Sequence, residues 1–253
     1  MLLDDFTLIQ AKYENLDHLN VYPVGDGHIG SKECDLNLLE QWVEVVKNDP
    51  NGVAVIVGDM MNMGLKNSKS NVYEETLSPR EQKERLYELL LPIADKIVAG
   101  CPGNHEHRAV KEVGMNPMYD VFCRLRIEDR YRENVCFVKL TVGKNGKNPN
   151  TYGVVLTHGS SGKKDENWTY SVDGCDCFIS GHTHTATHKP MGKIRMDLTH
   201  NKVKTVGYQH VVVVPFQLYG GYAVRGKYMP NHLGQFQCIT FDGTTKRVGY
   251  AYF

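Results

Sequence analysis

The chain has 253 residues, 41% of them hydrophobic and 23% charged, which is ample for a real core and ordinary for a globular domain. Its 29 basic and 29 acidic residues cancel, so the total charge advertises no polyanionic partner, although a local basic patch fits inside a neutral total. No apolar stretch approaches the roughly 20 residues that span a bilayer, acidic residues come too early for a signal peptide, and seven scattered cysteines without a CxxC pair suit a reduced, cytoplasmic protein with no membrane partner.

The first half alternates strand and helix signals. LNVYPV (19–24) is apolar and β-rich and runs straight into GDGHIG. CDLNLLEQWVEVVKN follows, with Leu36, Leu39, Val43 and Val46 at helical spacing. VAVIVGD (53–59) is a continuous apolar run of the kind buried in a parallel sheet. MNMGLKNSKSNVYEETL (61–77) lacks periodicity and reads as a loop near a site, while Met60, Met61 and Met63 suit either a pocket wall or the core. At 78–81, SPRE combines a Ser N-cap, Pro in the first turn and Glu three places on, the capping box of a helix over about 79–95 that turns Leu86, Leu89, Leu90 and Ile93 inward. DKIVAGCPGNHE then repeats the pattern of a short apolar strand breaking at glycine.

The second half is richer in β signals. VCFVKLTVG and TYGVVLTHG flank GKNGKNPN, a turn-rich link that predicts a hairpin. CDCFISGHTH supplies another short strand, on which Cys175 and Cys177 share a face and read as buried thiols. KIRMDLTHNKVKTVGYQHVVVVP, GQFQCITFD and KRVGYAYF read as strands joined by Asn/Gly turns. No internal repeat and no long linker divides the chain, so residues 1–253 are expected to form one α/β domain, βαβ units first and mixed β afterwards.

Five strand-like segments end in metal-capable groups: Asp26 and His28 in GDGH, Asp59 in VGD, Asn104 and His105 in GNHE, His158 in LTHG, and His182 with His184 in GHTH. In α/β sheets sites gather at the carboxyl ends of strands, where loops converge on a rigid frame. Glycine precedes Asp26, Asp59, Asn104 and His182, as tight turns with close backbone approach require. On a strand the two histidines of GHTH point the same way; at a turn they can converge on one point from different directions. Imidazole and carboxylate with a neutral Asn carbonyl suit two divalent cations, manganese first, with iron, zinc or nickel as alternatives. Two dications carry +4 against −2 from Asp26 and Asp59, a surplus that attracts phosphate. Ions about 3.5–4 Å apart can also clamp attacking and leaving oxygens together.

Asp-x-His, Gly-Asp, Gly-Asn-His-Glu, a His after an apolar strand and Gly-His-x-His, in that order over residues 26–184, resemble the calcineurin-like metallophosphoesterases. The resemblance implies a four-layer α/β/β/α sandwich of two mixed sheets flanked by helices, with a dinuclear centre. It implies that Asp26, His28 and His184 hold one metal, that Asn104, His158 and His182 hold the other, and that Asp59 bridges them. His105 becomes a non-ligand that protonates the leaving oxygen or stabilises the transition state. GDMMNMG departs from the Gly-Asp-x-x-Asp-Arg-Gly of the protein serine/threonine phosphatases, because Asn62 and Met63 stand where Asp and Arg do there, and that counts against the branch.

The expected activity is therefore metal-dependent phosphoester hydrolysis by hydroxide attack on phosphorus. A phosphodiester of nucleic acid or nucleotide type is the first choice of substrate. A phosphomonoester, either a small metabolite or a phosphoprotein, is the alternative. A protein-binding scaffold of the same fold, as in one retromer subunit, is the non-enzymatic reading. Asn104, His107 and Arg108 are candidates for substrate phosphate. Tyr219, Tyr222 and Arg225, in the Gly-rich QLYGGYAVRG, suit either a base- or sugar-binding edge or ordinary turn chemistry. His188, His200, His210 and His232 are assigned to strand or loop surfaces, His210 being the one able to approach the site.

Overall fold

The computed structural model describes residues 5–66, 68, 72–143 and 148–253, the side chain of Tyr222 excepted. In chain order the elements are β1 (Ile9–Tyr13), β2 (His18–Val24), α1 (Leu36–Asn48), β3 (Gly52–Ile56), α2 (Pro79–Leu90), β4 (Ile97–Gly100), α3 (Asn104–Val113), α4 (Pro117–Arg124), β5 (Val135–Val142), β6 (Asn150–Thr157), α5 (Gly162–Thr169), β7 (Cys177–Ser180), β8 (Thr187–Asp197), β9 (Lys202–Val212), α6 (Gly221–Arg225), β10 (Gln237–Asp242) and β11 (Val248–Tyr252). Among the described residues no helix is long and apolar enough to cross a membrane.

Two mixed sheets stack face to face, one in the order β1-β5-β6-β7-β9-β8 and the other β11-β10-β2-β3-β4. Strand alternation explains the layers. Leu19, Val21, Val53, Val55 and Val57 point to the inter-sheet core, where Leu140, Val154, Leu156, Ile179 and Val211 meet them from the other sheet. Tyr22, Val24, Ala54 and Ile56, one residue out of phase, point the other way into a core closed by Leu39, Trp42, Leu86 and Phe122 of α1, α2 and α4. Both faces of β2 and β3 are thus buried, which is why these segments read as continuous apolar runs. A smaller layer covers the outer face of the six-stranded sheet, where Trp168 of α5 packs edge-on against Phe178. The arrangement is the expected four-layer sandwich of two mixed sheets flanked by helices.

Local chemistry sets the helix limits. Ser78 accepts from Glu81 N–H while Glu81 accepts from Ser78 N–H, the capping box read from SPRE. The α-helix ends at Leu90 rather than near 95, because Pro92 cannot continue it, and Leu91–Lys96 forms a 3₁₀ stretch that still buries Ile93. The three methionines Met60, Met61 and Met63 are fully buried core. β5 and β6 pair antiparallel as the hairpin expected; residues 144–147 of its turn, and residues 67 and 69–71 of the 61–77 insert, lie outside the described residues.

Two expectations are corrected. Cys175 and Cys177 do not share a face: β7 begins only at Cys177, which enters the inter-sheet core, while Cys175 precedes the strand and joins Val155 and Phe178 on the outer side. Both are buried free thiols. His210 is not a surface residue, since α5 covers the outer sheet face and buries its ring against Phe178. His232 is also partly covered, with Nε2 3.0 Å from Asp35 Oδ2, whereas His188 stacks on Tyr250 and His200 stays exposed.

Candidate metal centre

The loops leaving β2, β3, β4, β6 and β7 meet at one end of the sandwich, and hydrogen bonds between their backbones hold them in register. Asp26 N–H donates to Gly58 O at 3.0 Å, His28 N–H to Asp59 O at 2.9 Å, and Gly181 N–H to His158 O at 3.0 Å. A Cβ on Gly103 would lie 2.1 Å from Asp59 Oδ1, so only glycine lets the β3 and β4 loops touch there. The chain turns sharply at the site: φ is 51° at Asp26, 47° at His28, 51° at Asp59, 72° at His182 and 52° at His184, all left-handed.

This backbone brings seven donor side chains together. Asp26, His28 and His184 form one group, with His184 Nε2 3.2 Å from Asp26 Oδ1 and from His28 Nε2. Asn104, His158 and His182 form a second, with Asn104 Oδ1 3.1 Å from His158 Nε2 and 2.8 Å from His182 Nδ1. Asp59 belongs to both, its Oδ2 lying 3.2 Å from His158 Nε2 and 4.0 Å from His28 Nε2. The two histidines of GHTH thus separate, His182 to one group and His184 to the other. His107, expected to meet substrate phosphate, belongs to none of these groups and is half-buried on α3.

Neighbours fix which imidazole nitrogen faces the centre. His158 Nδ1 donates to the Val57 carbonyl at 2.8 Å and turns Nε2 inward. His28 Nδ1 lies 3.3 Å from Asn62 Oδ1, and Asn62 Nδ2 donates to Glu75 at 2.5 Å, which sets the amide's orientation. Such outer contacts orient metal-binding histidines. Burial works against charge here, yet the carboxylates and imidazoles overcome it in pairs. Burial opposes ionisation of Asp26, but His184 beside it holds its carboxyl below the usual range. Burial likewise opposes a charged His158, but Asp59 raises it to about 10. Burial and the adjacent His105 push His28 well down.

Three residues without an assigned ligand role organise the surroundings. Glu106, the last residue of GNHE, is fully buried and accepts from the N–H groups of Gly103 (2.8 Å), Asp59 (2.9 Å) and Met61 (2.9 Å). Burial, then the charge of Asp59, raises its carboxyl to about 7. Its presence in the motif was the available signal; its role was not, because its partners are main-chain groups. Asn62 contacts both His28 and Glu75, as above. Arg108 places one guanidinium nitrogen 2.9 Å from His105 Nε2 and another 3.5 Å from Asn62 O. Arginine only donates, and His105 Nδ1 faces the Asn62 carbonyl at 2.7 Å, so His105 stands as the Nδ1–H tautomer with Nε2 accepting. Burial, and then Arg108 against the opposing pull of Asp59, leave His105 below the usual imidazole range. Met63 is buried with its N–H on Gln82, so no side chain reaches the centre from the position where the phosphatase motif carries Arg.

The residues fit a pair of divalent cations. Asp26 Oδ1 is buried and, among the described residues, accepts no hydrogen bond of good geometry; its neighbour is His184 Nε2 at 3.2 Å, while Oδ2 accepts from His182 N–H at 2.9 Å. A buried carboxylate oxygen whose neighbour is itself a metal-capable imidazole is satisfied when a cation lies between the two. Imidazole–carboxylate pairs of this kind are places where a divalent ion replaces a proton. The mixed N/O donor set suits first-row metals.

Residues 19–213 match the sequence profile of a family described as calcineurin-like phosphoesterase. No curated protein sequence matches the chain. Among solved structures, Vps29 of Entamoeba histolytica complexed with zinc is similar at 12% identity and a TM-score of 0.42, covering 93% of this chain and 98% of that one. A metallophosphoesterase from Sphaerobacter thermophilus has 12% identity and a TM-score of 0.43, with 93% and 88% covered. The calcineurin-like phosphoesterase YfkN from Bacillus subtilis has 13% identity and a TM-score of 0.42, with 93% and 90% covered.

Proposed function

The chain belongs to the calcineurin-like phosphoesterase family, and from that premise we propose that it hydrolyses phosphodiesters, of nucleic acid or nucleotide type, at a dinuclear metal centre. Asp26, His28 and His184 would hold one ion, Asn104, His158 and His182 the other, and Asp59, which lies between the two groups, would serve both. Manganese is the metal we favour. The observation that carries the reading is the Asp59 carboxylate: one oxygen, Oδ2, stands between two groups of metal-capable donors, 3.2 Å from His158 and 4.0 Å from His28.

When bound, the ions supply Lewis acidity and lower the pKa of water at the centre. The protein's own side chains do the rest. His105 and Arg108 adjoin the centre as a hydrogen-bonded pair, with His105 Nε2 also 3.7 Å from Asp59 Oδ2. In this pairing Nε2 carries no proton, so we assign the pair first to stabilising charge on the phosphoryl oxygens, with Arg108 the cation. Proton donation to the leaving oxygen by His105 requires Arg108 to release Nε2. Asn104, exposed at the start of α3, lies where it can meet substrate as well as metal.

The test is turnover of bis(p-nitrophenyl) phosphate against p-nitrophenyl phosphate by the manganese-loaded protein, with metal content measured in parallel. Two ions per chain and faster diester cleavage are expected. Faster monoester cleavage selects the phosphomonoesterase alternative, and bound metal with no hydrolysis of either selects the scaffold.

A further inference from the structure

The segment after β9 is pinned at both ends to the metal-bearing loops. Phe216 N–H donates to Asp26 O at 3.1 Å and Leu218 N–H to Glu33 O at 2.7 Å. At the far end His232 lies 3.0 Å from Asp35, and Asn231 Nδ2 donates at 3.4 Å to Thr185, the residue after His184. Within it, Tyr219 OH donates to Tyr228 O at 2.9 Å, and the Glu33 side chain packs against Gly220 and Gly221, the latter at a φ of 47° that favours glycine. The result is a fixed wall beside the Asp26, His28 and His184 group, and it lies outside residues 19–213 matched by the family.

This wall has the wrong surface for plain structure. Leu218, Tyr219, Val224, Tyr228, Met229 and Leu233 each expose between 47% and 77% of their area. Arg225 and Lys227 are exposed among them, and between Asp197 and Asp242 the sequence holds no acidic residue. Aromatic rings interleaved with cations, on a segment with no carboxylate of its own (the adjacent Glu33 and Asp35 belong to the loop after β2, and Asp35 faces His232), are the chemistry of single-stranded nucleic acid binding: bases stack on the rings while basic groups track the phosphates. The neutral total charge conceals this patch.

We propose that residues 218–233 receive the bases of a single-stranded nucleic acid whose phosphodiester lies at the metal centre, Tyr219 and Tyr228 stacking and Arg225 and Lys227 facing the flanking phosphates. The assignment rests on the phosphodiesterase reading and gives it a substrate class. Its test is fluorescence-anisotropy binding of a short phosphorothioate-linked oligothymidylate to the metal-loaded protein, with melting temperatures recorded for each variant. Tyr219→Ala and Tyr228→Ala each weaken binding about tenfold or more, the scale of one lost stacked base. Tyr228→Phe, which keeps the ring, stays within about twofold of wild type on the same scale. Arg225→Gln lowers the slope of log affinity against log salt by about 0.7, one phosphate contact on a single strand. The proposal is overturned if wild type does not bind the oligonucleotide, if the alanine variants bind as tightly as wild type, or if Tyr228→Phe loses as much as Tyr228→Ala. Should the alanine variants fail to fold, Tyr228→Phe and Arg225→Gln decide. Ring-dependent binding by a protein that hydrolyses no phosphoester removes the hydrolase reading and leaves a single-strand-binding surface without its substrate role; hydrolysis of bis(p-nitrophenyl) phosphate without oligonucleotide binding overturns the surface and leaves the hydrolase.

Discussion

The backbone N–H of His105 donates to Asp59 Oδ1 at 2.8 Å, which fixes the opposite oxygen, Oδ2, between the two imidazole groups. Asp59→Asn replaces one carboxylate oxygen by an NH₂ that cannot ligate. We expect metal content to fall below two per chain and turnover of bis(p-nitrophenyl) phosphate to drop by more than about 100-fold, beyond the range for losing an outer-sphere contact. His182→Ala is expected to behave alike. Elemental analysis with steady-state kinetics checks both, and two retained ions at full rate count decisively against the bridge.

The His105 ring packs edge-on against His28 and its Nε2 lies 3.7 Å from Asp59 Oδ2, but Nδ1 is engaged by the Asn62 carbonyl and Nε2 by Arg108, so His105→Ala should keep both ions and lose about 10²–10⁴-fold in kcat. Because Arg108 and His105 share a hydrogen bond, Arg108→Ala and the double variant should not combine additively. A double-mutant cycle on kcat/KM reads this; additive losses mean that the pair does not act together.

Glu106 accepts three main-chain N–H groups inside the protein. Glu106→Gln turns one acceptor oxygen into a donor facing a donor, a cost of about 1–3 kcal/mol. For a chain of this length that lowers Tm by roughly 2–12 °C. Calorimetry of the metal-loaded variant measures it, and an unchanged Tm is the contrary result.

Asn62 orients His28 from outside the donor set. Asn62→Ala should weaken metal affinity about 10–100-fold, and at one ion rather than both, since Asn62 contacts no member of the Asn104, His158 and His182 group in the structure. Isothermal titration with Mn²⁺ resolves the two steps; equal weakening of both is the outcome against it.

Metal removal by a chelator should lower Tm, and restoring metal at about 100 times Kd should recover about 2.7 kcal/mol, or roughly 5–10 °C. Scanning calorimetry with and without chelator tests it. Coincident melting curves mean that the ions do not bind the folded state preferentially.

The convergence of the candidate donors was more legible in the sequence than the frame that carries it. Five glycine-punctuated strand ends announce where loops converge, because a sharp turn, a metal-capable side chain and the end of an apolar run leave marks within a few residues of one another. Helices α3, α4 and α5 left weaker marks. In α5, GKKDENWT buries only Asp165 and Thr169, so no apolar stripe signals it, and missing it put His210 on the surface. β1 was missed for a related reason: it is a five-residue edge strand whose polar Gln10 and Lys12 alternate with its inward side. The shared face expected of Cys175 and Cys177 fails because period-two reasoning holds only inside a strand, and the strand starts at the second of them.

The left-handed turns at Asp26, His28, Asp59, His182 and His184 have a consequence for how tolerance to substitution should be read. Aspartate, asparagine and histidine are the non-glycine residues that enter this conformation most readily, while an ordinary side chain meets a penalty of about 1–2 kcal/mol there. Evolutionary choice at these five sites is therefore constrained twice, by coordination and by backbone shape, with the same residue types satisfying both. In a saturation scan, asparagine at 26 or 59 removes the charge and one ligand oxygen without straining the backbone, whereas valine or isoleucine also distorts the loop that neighbouring donors depend on.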